Sequence, residues 1–438
     1  MIIERKRAQK VVIFVIVLVI VVASLVFVIR QTKSMKAKRD EQKLLIILID
    51  GMRYDYPERD TQLKAFQRLA REGVKAEYLE PIYPANSYPN WYTILTGLYA
   101  ENHAMIDNYI YEPQLNDFFL MSPHPNTSHK HWWNKAEPIW TLAELSGLPT
   151  SVYYWDGCQI ELNGVIPTRC LPYRPLDCWP GVDEETEASL DQILDGFSSD
   201  KFRLSLLYYE PVDHMGHSYG PDSNETLHSV RVIDGILLRL LENINKRKLS
   251  DILNVYIVSD HGMATPTTLI RLEDHIDFND VELSLQQGSL CMMKAVNADA
   301  EQRIYEKLNS SGTDIGLRIY RKNEIPDEMH IKHNRLTLPL LLVARPGYYM
   351  LPPSIRGKVY PVYDRLYFHL GKGTYGYFAK EFDQMRGITY AIGPAFKRGF
   401  NNIPLKQTDH YQIFCRILGL KPKPHDGSWS RVKNMLVA

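Results

Sequence analysis

A chain of 438 residues, 45% of them hydrophobic, has room for one large globular domain or two ordinary ones and enough apolar material for a substantial core, which excludes a disordered polymer. Basic and acidic residues balance at 51 each, so no net field draws the chain to nucleic acid or anionic lipid, and specificity must be local.

Residues 11–29, VVIFVIVLVIVVASLVFVI, contain neither a charge nor a helix breaker. At a rise of about 1.5 Å per residue, a helix of this length spans roughly the hydrocarbon thickness of a bilayer. The run exceeds a secretory signal core, and no small-x-small cleavage site follows it. The expected organisation is a cytoplasmic tail at 1–10, a transmembrane signal anchor at 11–29, a basic polar stalk at 30–42 and one folded domain at 43–437. The expected location is the cell membrane, as a single-pass type II protein with an extracellular body that the N-terminal helix tethers. Basic residues flank the helix on both sides, so they do not set its orientation. The extracellular reading rests instead on glycosylation sequons at Asn126, Asn224 and Asn309, and on Cys158 and Cys170, close enough in sequence to bridge. Cys178, Cys291 and Cys415 have no evident partner, and the odd total of 5 cysteines leaves at least one thiol unpaired.

Beyond the stalk, apolar runs alternate with amphipathic ones. LLIILID at 44–50 precedes TQLKAFQRLAREG, and SVYYW at 151–155 precedes ETEASLDQILDGF. RLSLLYY at 203–209 precedes a long helix from about Glu225, in which Val230, Ile233, Leu237, Leu240 and Ile244 recur at helical spacing. NVYIVSD at 254–260 follows it. This alternation predicts an α/β fold, a mostly parallel central sheet with helices on both faces, and chemistry gathered beyond the carboxyl ends of the strands. The less regular stretch at 264–375 reads as a smaller inserted lobe.

Three of these strands end in metal-ligand residue types: Asp50; Asp213 and His217; Asp260 and His261. One strand-end aspartate is usually a cap or turn residue, but three such ends on one sheet edge converge on a single place. Aspartate and histidine together suit zinc, and two ions can hold both the attacking and the leaving oxygen of a phosphoryl transfer. Ser87, alone among prolines, asparagines and aromatics in YPANSYPNWYTILTGLY, then has a role. A serine hydroxyl is a weak nucleophile at neutral pH, and a neighbouring cation favours its ionised form without a histidine base.

In order, LLIILIDGMRYDY, YPANSYPNWYTILTG, HAMIDNYIYEP, VDHMGHSYGP, VSDHGM and YAIGPAF resemble the motifs of the ectonucleotide pyrophosphatase/phosphodiesterase family, within the alkaline-phosphatase-like superfamily. The resemblance implies an alkaline-phosphatase-like fold and two zinc ions. Asp50, Ser87, Asp260 and His261 correspond to the ligands of one, with Ser87 as nucleophile, and Asp213 and His217 to two ligands of the other. Asn108 corresponds to the family's phosphate-binding asparagine. The family's third ligand of the second zinc is a histidine, whereas Tyr375 stands here, and His369 is the candidate substitute.

The serine followed by YPN, together with YYWDGCQIELNGVIPTRCLPY, resembles the choline-specific glycerophosphodiesterase branch, with the Cys158 and Cys170 pair included. The implied substrate is a small phosphodiester carrying choline, a glycerophosphodiester or a lysophospholipid. Tyr173, Tyr208, Trp155 and Asp177 are the candidate walls of its pocket. The alternatives are a nucleotide pyrophosphatase/phosphodiesterase, or a catalytically weakened binding protein on account of Tyr375. The oligomeric state is not legible in the sequence.

Overall fold

In the computed structural model, which describes residues 42–175, 181–286, 288–312, 314–351 and 372–437, the apolar run after the stalk becomes β1 (Lys43–Ile49), buried along its whole length. The chain then forms α1 (Lys64–Glu72), β2 (Val74–Ala76), α2 (Ser87–Thr96), α3 (Ile139–Leu145), β3 (Thr150–Tyr153) and β4 (Arg169–Leu171). It continues through α4 (Val182–Ser198), β5 (Leu204–Tyr209), α5 (Pro211–Tyr219), α6 (Asn224–Lys246) and β6 (Leu253–Val258).

After β6 come β7 (Val281–Gln286), β8 (Leu290–Ala295), α7 (Ala298–Ser311), β9 (Leu317–Arg321) and β10 (Leu340–Ala344). Finally β11 (Thr389–Ile392) and β12 (Phe400–Asn402) lead to α8 (His410–Leu418).

The main sheet has the order β12-β2-β11-β6-β1-β5-β3-β4, and only β11 runs against its neighbours. Every residue of β1, β5 and β6 is buried, as happens when both faces of a parallel sheet are covered. Helix α6 packs against both α1 and α4, and α2, α3 and α8 form a second group. Val230, Ile233, Leu237, Leu240 and Ile244 of α6 are all buried, which is the face their spacing predicts. Each such side chain contributes about 1.5–3 kcal/mol by leaving water. Ser223 starts this helix by accepting a hydrogen bond from the Thr226 N–H, 3.2 Å away.

Strands β7, β8, β10 and β9 make a separate antiparallel sheet within the stretch read as an inserted lobe. It has its own apolar core, in which Met293, Leu342, Ile304 and Phe278 meet.

The membrane-crossing helix expected at 11–29, its tail at 1–10 and all but Gln42 of the stalk lie outside the described residues. Among the described residues no helix is long and apolar enough to cross a membrane. The expected placement as a single-pass type II membrane protein is corrected accordingly, since no described helix supplies the span that residues 11–29 were expected to form.

Candidate active site

The ladder register sets the level of the site. Leu48 pairs with Val258 and Ile49 with Tyr209, so Asp50 and Asp260 leave the sheet side by side, and α5 begins next to them with Pro211. Gly51, at φ +64°, is required here: a Cβ at this position would lie 2.9 Å from the Cα of Asp213. The turn after β1 therefore presses directly on the helix that carries Asp213 and His217.

His261 is fully buried, with its Nε2 3.3 Å from Ser87 Oγ and 3.5 Å from an oxygen of both Asp50 and Asp260. Its Nδ1 lies 2.9 Å from the Gly262 carbonyl; Nδ1–H donates there, which leaves the Nε2 lone pair facing the carboxylates. Burial pushes the His261 pKa down and keeps the ring neutral.

The two carboxylates are held differently. Asp260 accepts from the backbone N–H groups of Gly51 (3.2 Å) and His261 (2.9 Å), and its other oxygen from the indole N–H of Trp91 (2.6 Å). Asp50 accepts from the Tyr208 hydroxyl at 2.6 Å, while its Oδ1 is buried with no hydrogen-bond partner. Burial, and then the charges of Asp260 and Asp213, push the Asp50 pKa well up. A buried oxygen without a donor, beside a neutral imidazole lone pair, is what a divalent cation site requires. Ser87 opens α2 at its first position and is 6% exposed, so its hydroxyl faces this cluster at a helix N-terminus, where backbone dipoles favour an anion.

The second group has fewer donors. His217 Nε2 is 3.5 Å from Asp213 Oδ2, its Nδ1 is 2.9 Å from the Gly373 carbonyl, and Asp213 Oδ1 is buried without a hydrogen bond. Where a third ligand would stand, the Tyr375 ring lies 4.9 Å from the His217 ring and 4.1 Å from the His261 ring. Its hydroxyl accepts from Asn108 Nδ2 at 3.3 Å. The adjoining Gly376, at φ +89°, donates its N–H to the Ala85 carbonyl and leaves no room for a Cβ against Asn86. Among the described residues this group offers two protein donors, short of the three that open metal sites use. His369 lies outside the described residues.

Asn108 Oδ1 accepts the Tyr88 N–H at 2.9 Å, and its amide nitrogen donates to the Tyr375 hydroxyl. Of the expected pocket walls, Tyr173 stacks obliquely on Tyr208 with ring centres 6.0 Å apart. Trp155, by contrast, is fully buried and offers no face to a ligand, because the aromatic run after β3 turns into the core. Asp177 and Cys178 lie outside the described residues.

Cys158 and Cys170 form a disulfide, and Cys291 and Cys415 are buried thiols. Asn224 and Asn309 are exposed, whereas Asn126 is half-buried and holds Asp117 through its amide nitrogen. Trp91 and Glu210 are contributors that the sequence reading passed over. Trp91 stands four residues after Ser87 and thus on the same face of α2, a spacing that could have revealed it. Glu210 accepts the Tyr173 hydroxyl at 3.3 Å, immediately after β5.

The chain is similar to known proteins along most of its length. Human ectonucleotide pyrophosphatase/phosphodiesterase family member 5 is 30% identical over 400 residues, which cover 91% of this chain and 78% of that protein. Human family member 7 is 29% identical over 92% of this chain and 85% of its own length. The venom phosphodiesterase of Naja atra is 30% identical over 91% of this chain, which spans only 46% of that longer protein. The solved structure of human member 5 superposes with a TM-score of 0.81 at 28% identity, covering 91% of this chain and all of that one. An inactive murine member 5, solved in complex with AMP, gives 0.80. Residues 44–364 match the family described as type I phosphodiesterase / nucleotide pyrophosphatase, and with the alkaline-phosphatase-like sheet and the Ser87 cluster on its carboxyl edge this chain belongs to the ectonucleotide pyrophosphatase/phosphodiesterase family.

Proposed function

We propose that this chain is a zinc-dependent phosphodiesterase that attacks phosphorus with the Ser87 hydroxyl, and that choline-bearing phosphodiesters are its substrates. The hydrolytic reading is carried by the convergence of Ser87 Oγ on His261 Nε2, at 3.3 Å, between Asp50 and Asp260. Asp50, Ser87, Asp260 and His261 would hold a zinc ion, whose charge favours the ionised serine hydroxyl and offsets charge on the phosphate oxygens. Ser87 Oγ bonds to phosphorus, and the ester's alcohol oxygen leaves with the bonding pair and takes up a proton. Water then cleaves the phosphoserine, returning the hydroxyl and releasing the phosphomonoester. Asn108 Nδ2 donates to a phosphate oxygen as charge builds there, a role supported by its place beside Tyr375 and Ser87.

Trp91 acts through Asp260. Trp91→Phe leaves a buried carboxylate oxygen without its 2.6 Å donor. It is expected to lower kcat/KM about 10–100-fold, the usual effect of losing a residue that orients a ligand. Steady-state kinetics with a circular dichroism check of the fold measure it.

The choline reading is supported by the carboxylate of Glu210 beside the Tyr173 ring, just outside the strand end that leads to Asp213. A quaternary ammonium accepts no hydrogen bond and is recognised by aromatic faces and a nearby negative charge. A nucleotide reading is supported by the related murine protein solved with AMP, since the same rings could stack on a base. A chromogenic phosphocholine ester and a chromogenic nucleotide ester, assayed side by side, separate the two. We expect the phosphocholine ester to be preferred and Glu210→Gln to lower its kcat/KM about tenfold, with the nucleotide ester little changed. Preference for the nucleotide ester would remove the choline assignment and leave the hydrolase intact.

A further inference from the structure

On a separate surface, Asp117, His129 and His131 bring one carboxylate oxygen and two imidazole nitrogens within 4.8 Å of one another. We propose that these three side chains form a further metal site for zinc or a similar imidazole-seeking divalent cation, distinct from the Ser87 cluster.

The backbone on each side of the site is anchored. Asp117 begins a strand, Asp117–Phe119, paired antiparallel with Ile110–Glu112, and the Phe119 side chain that ends it is fully buried. His129 and His131 enter a short helix, Lys130–Trp133, whose Trp132 and Trp133 are buried against Phe119. The Trp133 indole donates to the Thr127 carbonyl at 2.7 Å, which fixes the turn between them. The carboxylate is oriented too: its Oδ1 accepts from the Asn126 amide and the Phe118 N–H, each at 2.8 Å, so Oδ2 faces the imidazoles. Partners of this kind, bonded to the far oxygen of a ligating carboxylate, hold ligands in place at metal centres.

The positions of the donor atoms carry the argument. His131 Nε2 lies 3.2 Å from Asp117 Oδ2, yet this nitrogen is shielded from solvent and makes no hydrogen bond. Two atoms bound to one tetrahedral zinc at about 2.0–2.1 Å sit roughly 3.3 Å apart, each off the other's bonding axis. The His131–Asp117 pair has that separation and that misalignment. His129 Nδ1, 2.6 Å from the same oxygen, occupies the position with a shared proton that a cation would displace. Half of the His129 side chain is exposed, at 49%, so a fourth position is open to water. Two imidazoles and one carboxylate select zinc-like ions over calcium or magnesium, which prefer oxygen.

The test counts zinc per full-length chain after equilibration with zinc and gel filtration, and follows cobalt(II) binding by its visible absorption. His131→Ala and Asp117→Asn are each expected to remove one equivalent and to weaken zinc binding at that site at least about a hundredfold. Asp260→Asn, which alters only the Ser87 cluster, is expected to keep it. Asp117→Asn preserves side-chain size and so answers even if His131→Ala folds poorly. If zinc content and the cobalt spectrum are the same in wild type and Asp117→Asn, the proposal is overturned and the cluster is an ion pair alone. Loss of zinc on Asp260→Asn bears only on the catalytic cluster.

Discussion

Replacement of Ser87 by alanine is expected to lower kcat/KM on any phosphodiester by at least about ten-thousand-fold, the scale seen when a nucleophile is removed from a preorganised site. The change deletes one buried oxygen whose contacts are His261 Nε2, at 3.3 Å, and the Tyr375 hydroxyl. Neither contact holds the fold together, because α2 is anchored by side chains such as Trp91, Ile94 and Leu95, so the unfolding temperature should stay within a few degrees. Ser87→Thr keeps the hydroxyl and is expected to retain turnover within about tenfold. Mass spectrometry of acid-quenched wild-type turnover should find phosphate on Ser87. Equal rates for wild type and Ser87→Ala would sink the nucleophile assignment, and no turnover in either would favour a protein that binds without reacting.

The opposite sign is expected at Tyr375. Tyr375→His places an imidazole next to His217 and Asp213, whose Oδ1 is buried without a hydrogen bond, and completes three protein donors. Zinc content at the Asp213–His217 pair should rise by one equivalent, and turnover by about a hundredfold, since a second cation contributes several kcal/mol of charge stabilisation. Tyr375→Phe separates this gain from loss of the phenol, because it removes the contacts to Ser87 and Asn108 and adds no donor. Burial, followed by the charges of Asp213 and Asp50, pushes the Tyr375 pKa well above the usual phenol range, so the native side chain stays neutral and is a poor ligand. Unchanged metal content in Tyr375→His would show that the site is shaped against an ion by more than this one residue.

Much of this architecture was legible in the sequence because it depends on period and on strand ends. The runs at 44–50, 203–209 and 254–260 are apolar on both faces, which only a covered parallel sheet tolerates, and each delivers its acidic residues to one edge. The disulfide was legible from the closeness of the two cysteines in sequence together with the family resemblance of the stretch that carries them. Side-chain direction was not. Trp155 and Tyr208 are both aromatics near strand ends, yet one faces the core and the other donates to Asp50, a difference set by backbone turns that no local pattern records. Trp91 was missed for the opposite reason: a tryptophan on a buried helix reads as packing, and its N–H is visible only once Asp260 stands beside it. The cell-surface location rested on residues 11–29, the three sequons and the Cys158–Cys170 pair, and its single-pass anchor is not borne out, as no helix among the described residues is a membrane span.

The pairing of Leu48 with Val258 also restricts how this chain can vary. Adding or removing one residue inside either strand would displace a carboxylate by about 3.3 Å and turn it to the opposite face. Insertions are therefore tolerable in the loops that leave the sheet and ruinous within the two strands. Chain length between the start of each strand and its terminal aspartate is thus as much a part of the chemistry as the aspartates themselves.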